Sequence, residues 1–292
     1  MSPSGGASVP NGLSVDLEDL EASVREPLGL PPSTSSKYLS NHTIRLLDLF
    51  REYGAHATFF INAQSVEKHP ELLGRIVEAG HELAAHGYTH RFLSAYRSPG
   101  AFRDDLERCL LLLDRECHVR PQGYRAPGFT LHGSEAIVLP VLQELGFRYS
   151  SSVLPFAQPV QHGYSRGPTR PFRWPNGIVE IPVSSWEFLG RRWPAFGSWS
   201  LRLLPLANTN AAIRRLNVLK RPAYLYLHAW EVFGQPVSRE VAYARFPWQR
   251  IWLIGQGPTM ERRLRSLLAS YTFTTYAELI DWNAPVDPPV FS

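Results

Sequence analysis

The sequence predicts an α/β fold in which helices cover a parallel sheet that is either open or closed into a barrel. Short apolar runs alternate with amphipathic stretches of helical period along much of the chain. The length of 292 residues is ordinary for one α/β barrel. A hydrophobic content of 44% supplies a large core and excludes global disorder.

The first half of the chain consists of successive strand–helix units. The predicted strands are NGLSVD, HATFFIN, HELAAHG, a strand within PQGYRAPG, and FRYSSSV. Amphipathic helices separate them, with a glycine stop at Gly54 and at Gly80. The longest helix, in SPGAFRDDLERCLLLLDREC, is expected to open at Ser98 and Pro99.

The second half interrupts this rhythm. Residues from about 155 to 222 are rich in proline, glycine and aromatic residues, which predicts a structured insertion. The segment AYLYLHAWE restores a buried strand that ends at His228, and a helix, a strand and a short helix follow. We expect a flexible tail over residues 1–11 and one catalytic domain over residues 12–292.

Composition limits the classes of protein. Two cysteines eight residues apart form neither a disulfide framework nor a zinc clip, and they suit a reducing compartment. Neither a signal-peptide pattern nor a membrane-spanning apolar run is present, so a soluble cytoplasmic protein is expected. The net charge of +4 is mild, and scattered basic residues without a reading motif exclude nucleic acid as an expected partner.

Three carboxylates follow the first predicted strand, at Asp16, Glu18 and Asp19 in SVDLEDL. Like charges this close repel one another unless a cation or hydrogen bonds offset them. Asp16 also closes an apolar strand, where an unpaired carboxylate is costly. A solvated turn with a helix cap is the ordinary alternative for such a cluster.

Two histidines, His86 and His90, lie four residues apart in ELAAHGYTH. At this spacing they would share a helix face or a tight helical turn, so that both imidazoles could reach one metal ion. Because chemistry collects at the carboxyl ends of parallel strands, the pair and the acidic cluster could form an open site for zinc or a similar ion. One carboxylate would then remain as a general base.

Two further segments place reactive side chains at strand ends. In GYRAPG, Arg125 could pair with the base, and Gly128 would let backbone N–H groups approach an oxyanion. In YLYLHAWE, His228 could protonate a leaving amine. Its neighbours Trp230 and Glu231 could tune the site or form its wall, where they are expected to bind substrate.

Taken in order along the chain, these segments resemble the polysaccharide deacetylases of the NodB-homology type, which are metal-dependent carbohydrate esterases. The acidic motif, H-x-x-x-H, R-x-P-G and L-x-H carry the resemblance, which runs from about residue 12 to residue 280. It is closest to a subgroup found in exopolysaccharide and exosortase-linked clusters, because D-x-E-D, HGY-x-H, GYRAP, RLLP and YLH-x-WE all occur.

The resemblance implies a distorted (β/α) barrel with fewer than eight strands. It implies hydrolysis of an N-acetyl group from an amino sugar, in a polysaccharide or a lipid-linked glycan precursor. It also implies a divalent metal cofactor, with Zn²⁺ expected first and Co²⁺, Ni²⁺ or Fe²⁺ as alternatives. An amidase or deformylase for another N-acyl substrate, and a catalytically silent sugar-binding homologue, stay open as other functions.

Carried over position by position, the resemblance assigns roles to individual side chains. Asp16 matches the catalytic base, Arg125 the residue that orients the base, and His228 the general acid. The matched metal ligands are His86, His90 and either Glu18 or Asp19.

The chain departs from the family at Ser150, where relatives often have aspartate after LGFRY. If that aspartate sets the protonation of the general acid, its loss would weaken catalysis unless Glu231 replaces it.

A basic segment between residues 188 and 230 contains no aspartate or glutamate. One interpretation is a packed insertion whose basic side chains face water. The other is a peripheral surface for anionic membrane at the inner face of the bilayer, which would suit a cytoplasmic enzyme that acts on a lipid-linked sugar. The side chains concerned are Arg191, Arg192, Arg202, Arg214, Arg215, Lys220, Arg221, Trp193, Phe196 and Trp199.

Overall fold

A curled, mostly parallel sheet forms the centre of the fold in the computed structural model, which describes residues 9–25, 28–31, 37–156, 164, 167–188, 191–242 and 254–282. The strands in these ranges are β1 (Asn11–Leu17), β2 (Thr58–Ile61), β3 (Glu82–Ala85), β4 (Gly123–Tyr124), β5 (Tyr149–Ser150), β6 (Phe172–Arg173), β7 (Val179–Glu180), β8 (Ser185–Phe188), β9 (Arg191–Pro194), β10 (Tyr224–His228) and β11 (Phe273–Thr274).

Helices connect the strands and pack against them. The longest begins where the sequence predicted, because the Ser98 side chain accepts a hydrogen bond from the backbone of Ala101 and Pro99 occupies the first turn. The helices are α1 (Leu20–Arg25), α2 (Leu39–Tyr53), α3 (Ala63–Val66), α4 (Glu71–Glu78), α5 (Pro99–Cys117), α6 (Glu135–Glu144), α7 (Ser198–Leu203), α8 (Leu206–Val218), α9 (Ala229–Phe233), α10 (Arg239–Ala242) and α11 (Pro258–Ser270).

The strand order of the main sheet is β10-β1-β2-β3-β4-β5-β7-β6, and β11 adds to β1. Seven of the strands on this path pair in parallel, while β6 pairs with β7 antiparallel. Strands β8 and β9 form a separate antiparallel hairpin. The sheet is thus a curled half-barrel, and the predicted distorted (β/α) barrel of the NodB-homology type is confirmed. The expected number of fewer than eight strands is wrong, because nine strands pair in this sheet within the described residues.

Both faces of the sheet are buried, as parallel strands with covered faces require. Alternate residues of β2 show this: Phe59 packs in the outer core with Phe50 of α2, whereas Phe60 packs in an inner cluster with Tyr276. The Tyr276 hydroxyl lies 3.2 Å from Ser14 Oγ and 3.0 Å from the carbonyl of Leu225. Aromatic side chains therefore fill the space inside the curl.

The register of the sheet brings several strand ends to one edge. Asp16 is the register partner of His228 on one side and of Phe60 on the other. Ala85, the last residue of β3, is likewise the partner of Ile61 and of Tyr124. The residues that follow these positions along each chain segment therefore emerge next to one another at the carboxyl edge.

The predicted insertion over residues 155–222 contains β6 to β9, α7 and α8. Its backbone meets the edge of β10, because Ser184 N donates to the Tyr224 carbonyl and Tyr226 N donates to the Phe196 carbonyl. Of the predicted N-terminal tail, residues 1–8 lie outside the described residues, and β1 begins at Asn11.

Two side chains of the basic segment lie in the interior of the protein. Phe196 and Arg202 belong to the interior, with exposures of 0% and 2%, so the expectation that these two face lipid is wrong. Arg214 and Arg215 are exposed on α8, and Trp193 on β9 is partly exposed. Every helix within the described ranges is too short or too polar to span a bilayer.

His81 makes the fold sensitive to acid. Its Nδ1 accepts a hydrogen bond from the Ala57 N–H at 3.2 Å, and its ring packs against Phe50 and Phe59. Burial, with a smaller contribution from the charge of His56, lowers the pKa of His81 from 6.5 to about 4. The unfolded chain therefore binds a proton below pH 6.5 that the folded chain binds only near pH 4, so the free energy of unfolding falls over this window.

We expect His81→Asn to lose less stability than the wild type between pH 7 and pH 4.5, because asparagine keeps an acceptor and does not titrate. Urea unfolding at the two pH values measures the difference. His118→Asn is the matched control, since His118 is exposed at the end of α5. An unchanged pH dependence in His81→Asn would contradict this assignment.

Candidate metal and acid–base site

The histidine pair lies in an irregular turn after β3. Gly87 and His90 have φ values of +80° and +52°, which no helix contains, so the expected helical turn is wrong. The Asp105 carboxylate of α5 holds this turn, because it accepts hydrogen bonds from the backbone of Tyr88 at 2.8 Å and of Thr89 at 3.2 Å. Asp105 was not predicted, since its position on a helix face carries no local signal.

This turn and the end of β1 bring three potential metal ligands together. Glu18 Oε2 lies 2.5 Å from His90 Nε2 and 3.6 Å from His86 Nε2. One ligand atom of each of the three residues lies within 4.8 Å of the others, and all three residues are buried. Two imidazole nitrogens and a carboxylate oxygen directed at one point are a ligand set typical of an open zinc site.

His86 is held in the tautomer that a metal needs. Its Nδ1 lies 2.8 Å from the carbonyl of Arg125, which can only accept, so Nδ1 carries the proton and Nε2 has a free lone pair. Burial lowers the pKa of His86 to about 4, so the ring is neutral. The lone pair of Nε2 therefore faces the Glu18 carboxylate with no proton between them.

Glu18 is ionised in this setting. Burial by itself would raise its pKa, but the charges and hydrogen bonds of His90 and His228 lower the pKa well below 4.5. A buried carboxylate that faces a neutral imidazole lone pair is stabilised by a cation between the two. The three residues therefore fit a divalent metal ion.

Asp19 points elsewhere. Its carboxylate accepts hydrogen bonds from the backbone of Glu21 at 2.9 Å and from the Gln235 amide at 3.0 Å. The sequence left open whether Glu18 or Asp19 is the carboxylate ligand of the metal. Glu18 belongs to the group of potential ligands with His86 and His90, called the ligand group below, and Asp19 lies outside it. Asp19 instead orders the first turn of α1.

Asp16 is paired with a fully buried arginine. Asp16 Oδ1 lies 2.5 Å from Arg125 Nη1. The remaining guanidinium nitrogens donate to Ser151 at 3.0 Å, and the guanidinium carbon lies 3.9 Å from the centre of the Phe60 ring. Arg125 is thus fixed from three directions, which leaves Oδ2 as the Asp16 oxygen that faces the site.

His228 approaches both carboxylates from the other side. Its Nε2 lies 3.2 Å from Glu18 Oε1 and 4.0 Å from Asp16 Oδ2, while its Nδ1 lies 3.0 Å from Glu231 Oε2. Burial by itself would lower the pKa of His228, but the charge of Glu231 and the hydrogen bonds that Glu18 and Glu231 accept from the ring raise it to about 10. A cation bound at Glu18 would reduce the part of this pKa increase that Glu18 causes.

Glu231 is held by residues that sequence reasoning did not assign to the site. Its Oε1 lies 2.8 Å from Arg202 Nε and accepts a hydrogen bond from Ser198 Oγ at 2.8 Å. Burial would raise the pKa of Glu231, but the charge of Arg202 and then of His228 lowers it to about 2. Arg202 lies 29 positions before Glu231 in the sequence, so only the tertiary fold brings them together.

Two predicted contacts with substrate do not agree with the burial of the residues. Glu231 has no exposed surface, and its carboxylate is occupied by His228, Ser198 and Arg202. Trp230 is also buried, and its ring stacks on His228 at 4.9 Å between centres. Both residues therefore contact His228 and present almost no surface to a ligand.

Ser150 does not contact His228. Its hydroxyl, at the carboxyl end of β5, donates a hydrogen bond to Ser152 Oγ at 2.8 Å. The alternative raised by the sequence, that Glu231 takes the place of the missing family aspartate beside the acid, agrees with the contact between Glu231 Oε2 and His228 Nδ1.

The turn after Arg125 has a left-handed backbone at Gly128, with φ +60°. Phe129 N donates to the Ala126 carbonyl and Thr130 N donates to the Pro127 carbonyl, so these two N–H groups are engaged within the turn. Gly128 is half-buried, and its part in binding an oxyanion stays a prediction.

Comparisons with known proteins match two adjacent segments of the chain. Residues 33–150 match the family model described as polysaccharide deacetylase, and residues 151–281 match a model described as a domain of unknown function. The histidine pair and Arg125 lie in the first segment and His228 lies in the second, whereas the acidic motif precedes both.

Two curated relatives cover part of the chain. A peptidoglycan deacetylase from Helicobacter pylori is 34% identical over 110 residues, which are 38% of this chain and 36% of the relative. A chitooligosaccharide deacetylase from Sinorhizobium fredii is 38% identical over 73 residues, which are 25% of this chain and 32% of the relative. The chain thus spans about a third of the length of these relatives.

Solved structures share the fold over most of the chain. A protein from Mycobacterium smegmatis that is provisionally named a polysaccharide deacetylase matches with a TM-score of 0.57 and 22% identity, over 94% of this chain and 96% of the other. A peptidoglycan N-acetylglucosamine deacetylase matches with a TM-score of 0.51 and 15% identity, over 94% and 88%. The chain is thus similar to polysaccharide deacetylases over residues 33–150, and it shares the fold of these solved structures over most of its length.

Proposed function

We propose that this protein is a metal-dependent hydrolase that removes an N-acetyl group from an amino sugar of a polysaccharide or a lipid-linked glycan precursor. One observation supports this proposal above the others. The ligand group of Glu18, His86 and His90 lies beside a carboxylate fixed by arginine and an imidazole fixed by a carboxylate, and Asp16 Oδ2 lies 4.0 Å from His228 Nε2. That arrangement would supply a base and an acid next to one reacting group.

A divalent cation held by Glu18, His86 and His90 would polarise the acyl carbonyl and make an attacking water more acidic. Zinc suits two imidazoles and one carboxylate, and Co²⁺, Ni²⁺ and Fe²⁺ accept similar ligands. The Arg125 carbonyl keeps His86 in the required tautomer.

The side chains divide the proton transfers. Asp16 Oδ2 accepts a proton from water as the water oxygen bonds to the acyl carbon, and Arg125 holds Oδ1 so that Oδ2 faces the water. The backbone of Gly128 would stabilise the oxyanion. His228 Nε2 then donates a proton to the nitrogen as the carbon–nitrogen bond breaks, which yields acetate and a free amine.

Two alternatives can be separated by assay. An amidase or deformylase would release amine from N-formyl or non-sugar substrates in preference to acetylated sugars. A silent sugar-binding homologue would bind sugar and metal without turnover. We expect zinc-loaded protein to release acetate and free amine from N-acetylated oligosaccharides or lipid-linked sugars, and no release from any acylated sugar would contradict the proposal.

The two carboxylates of the acidic motif can be distinguished by substitution. Glu18→Gln removes a charged ligand, so we expect at least about a tenfold loss of zinc affinity, and activity should fall with it. Asp19→Asn is the matched control, because asparagine keeps an acceptor for Glu21 and Gln235 and should leave zinc affinity near the wild-type value. Metal titration with a competing chelator measures both, and the reverse order of effects would exclude Glu18 as the ligand.

The proposed base, Asp16, and the proposed acid, His228, can also be tested by substitution. Asp16→Asn and His228→Ala should each lower kcat by roughly 10²–10⁴, because each removes one positioned proton-transfer group. Both variants should retain the metal, since neither residue belongs to the ligand group. Steady-state kinetics and metal analysis test this together, and wild-type turnover in both variants would refute the assigned roles.

Arg202 holds Glu231, which contacts His228, and this support can be tested by substitution. Arg202→Lys keeps the charge but loses the Nε contact with Glu231, so we expect kcat to fall about tenfold while KM and zinc content change little. Arg214→Lys, on the exposed face of α8, is the matched control. A variant that is less stable but has unchanged kcat would show that Arg202 is only structural.

A further inference from the structure

A cavity lined by polar and apolar side chains lies at the opposite end of β10 from His228. It has a volume of about 130 Å³, whereas a single water needs only roughly 10–15 Å³. It opens between β8 and the carboxyl-terminal half of α8, and its lining includes Ser184, Ser185, Arg215, Leu219 and Arg221.

The position of this cavity separates it from the acid–base site. Ser184 Oγ accepts a hydrogen bond from Tyr224 N at 2.9 Å, and Tyr224 is the first residue of β10. His228 is the last residue of that strand, four residue steps or about 13 Å away at the usual rise. A ligand here would therefore leave the carboxyl edge of the sheet open.

The charge of the cavity is positive. Arg221 is half-buried and donates to the Thr169 carbonyl at 3.1 Å. Burial and the charge of Arg170 lower the pKa of Arg221, as expected when guanidinium groups converge. The acid in the lining is Glu187, whose side chain is 64% exposed and lies 3.4 Å from Arg192.

Two features of the lining favour an anion over water. Arg215 makes no ion pair with a carboxylate among the described residues, so its guanidinium is available to a ligand. The buried Ser185 hydroxyl has no hydrogen-bond partner in the part of the chain that the structure describes. A phosphate oxygen accepts from both kinds of donor, and guanidinium forks match phosphate geometry.

We propose that this cavity is a phosphate-binding site in which Arg215 and Arg221 hold the oxyanion. The phosphate belongs either to a soluble phosphate compound or to the headgroup of an anionic lipid. The rim favours the lipid, because Leu219 and its neighbour Val218 are 56% and 80% exposed and could enter a bilayer surface.

The test uses the whole protein in two arms at constant ionic strength. Calorimetric titration with inorganic phosphate reports the free anion, and co-sedimentation with phosphatidylglycerol vesicles reports the lipid, with phosphatidylcholine vesicles as the neutral control. Binding in either arm supports the site, and the arm in which it occurs identifies the source. Binding in neither arm would overturn the proposal.

Arg215→Gln tests whether binding occurs in the cavity. Because Arg215 is exposed, the variant should fold normally, and we expect about tenfold weaker binding from the loss of one charge-assisted contact. Arg214→Gln is the matched control, since Arg214 is the adjacent residue and its Nε donates to Tyr271 Oη at 3.4 Å, outside the cavity. Equal weakening in the two variants would indicate unspecific charge attraction and would also overturn the site.

Discussion

Two ionisable carboxylates, Asp16 and Glu18, are buried close together at the carboxyl end of β1, and the arrangement of the site follows from the need to offset their charge. Neither side chain is more than 3% exposed. Carboxylates buried without partners would cost several kcal/mol each, so positive charge or hydrogen-bond donors must reach both. The parallel register supplies these partners from β3, β4 and β10.

The two carboxylates are balanced differently, and this difference separates their proposed roles. Arg125 is permanently charged and fixed by Ser151 and Phe60, so it pairs directly with Asp16 and leaves one oxygen for proton transfer. Glu18 faces imidazoles, one of which is neutral, and a divalent cation would complete its surroundings. Glu231 offsets the charge of His228 at Nδ1, the ring nitrogen that does not face Glu18. Arg202 in turn offsets the charge of Glu231.

Sequence patterns predicted the parts of the site that depend on strand ends. Asp16 and His228 lie at the carboxyl ends of apolar strands, and the parallel pairing that aligns these ends then places them in register. The backbone between the two histidines could not be predicted from spacing, because the Asp105 carboxylate from a distant helix imposes a left-handed turn on it.

The choice between Glu18 and Asp19 also depended on a remote residue. Gln235 holds the Asp19 carboxylate, and no pattern in SVDLEDL indicates that contact. The interior position of Arg202 has the same cause, since its partner Glu231 lies on another helix. A run of basic residues predicts an exposed surface, but the tertiary fold decides which of them pair with a buried carboxylate.

We propose that Glu18, His86 and His90 share one divalent cation while Asp16 stays outside its ligand sphere. Anomalous diffraction from crystals of the zinc-loaded protein would locate this cation. We expect a single peak about 2.0–2.2 Å from Glu18 Oε2 and from both Nε2 atoms, with Arg125 still paired to Asp16. A zinc ion bound by Asp16 or Asp19 in place of Glu18, or no peak among these residues, would contradict it.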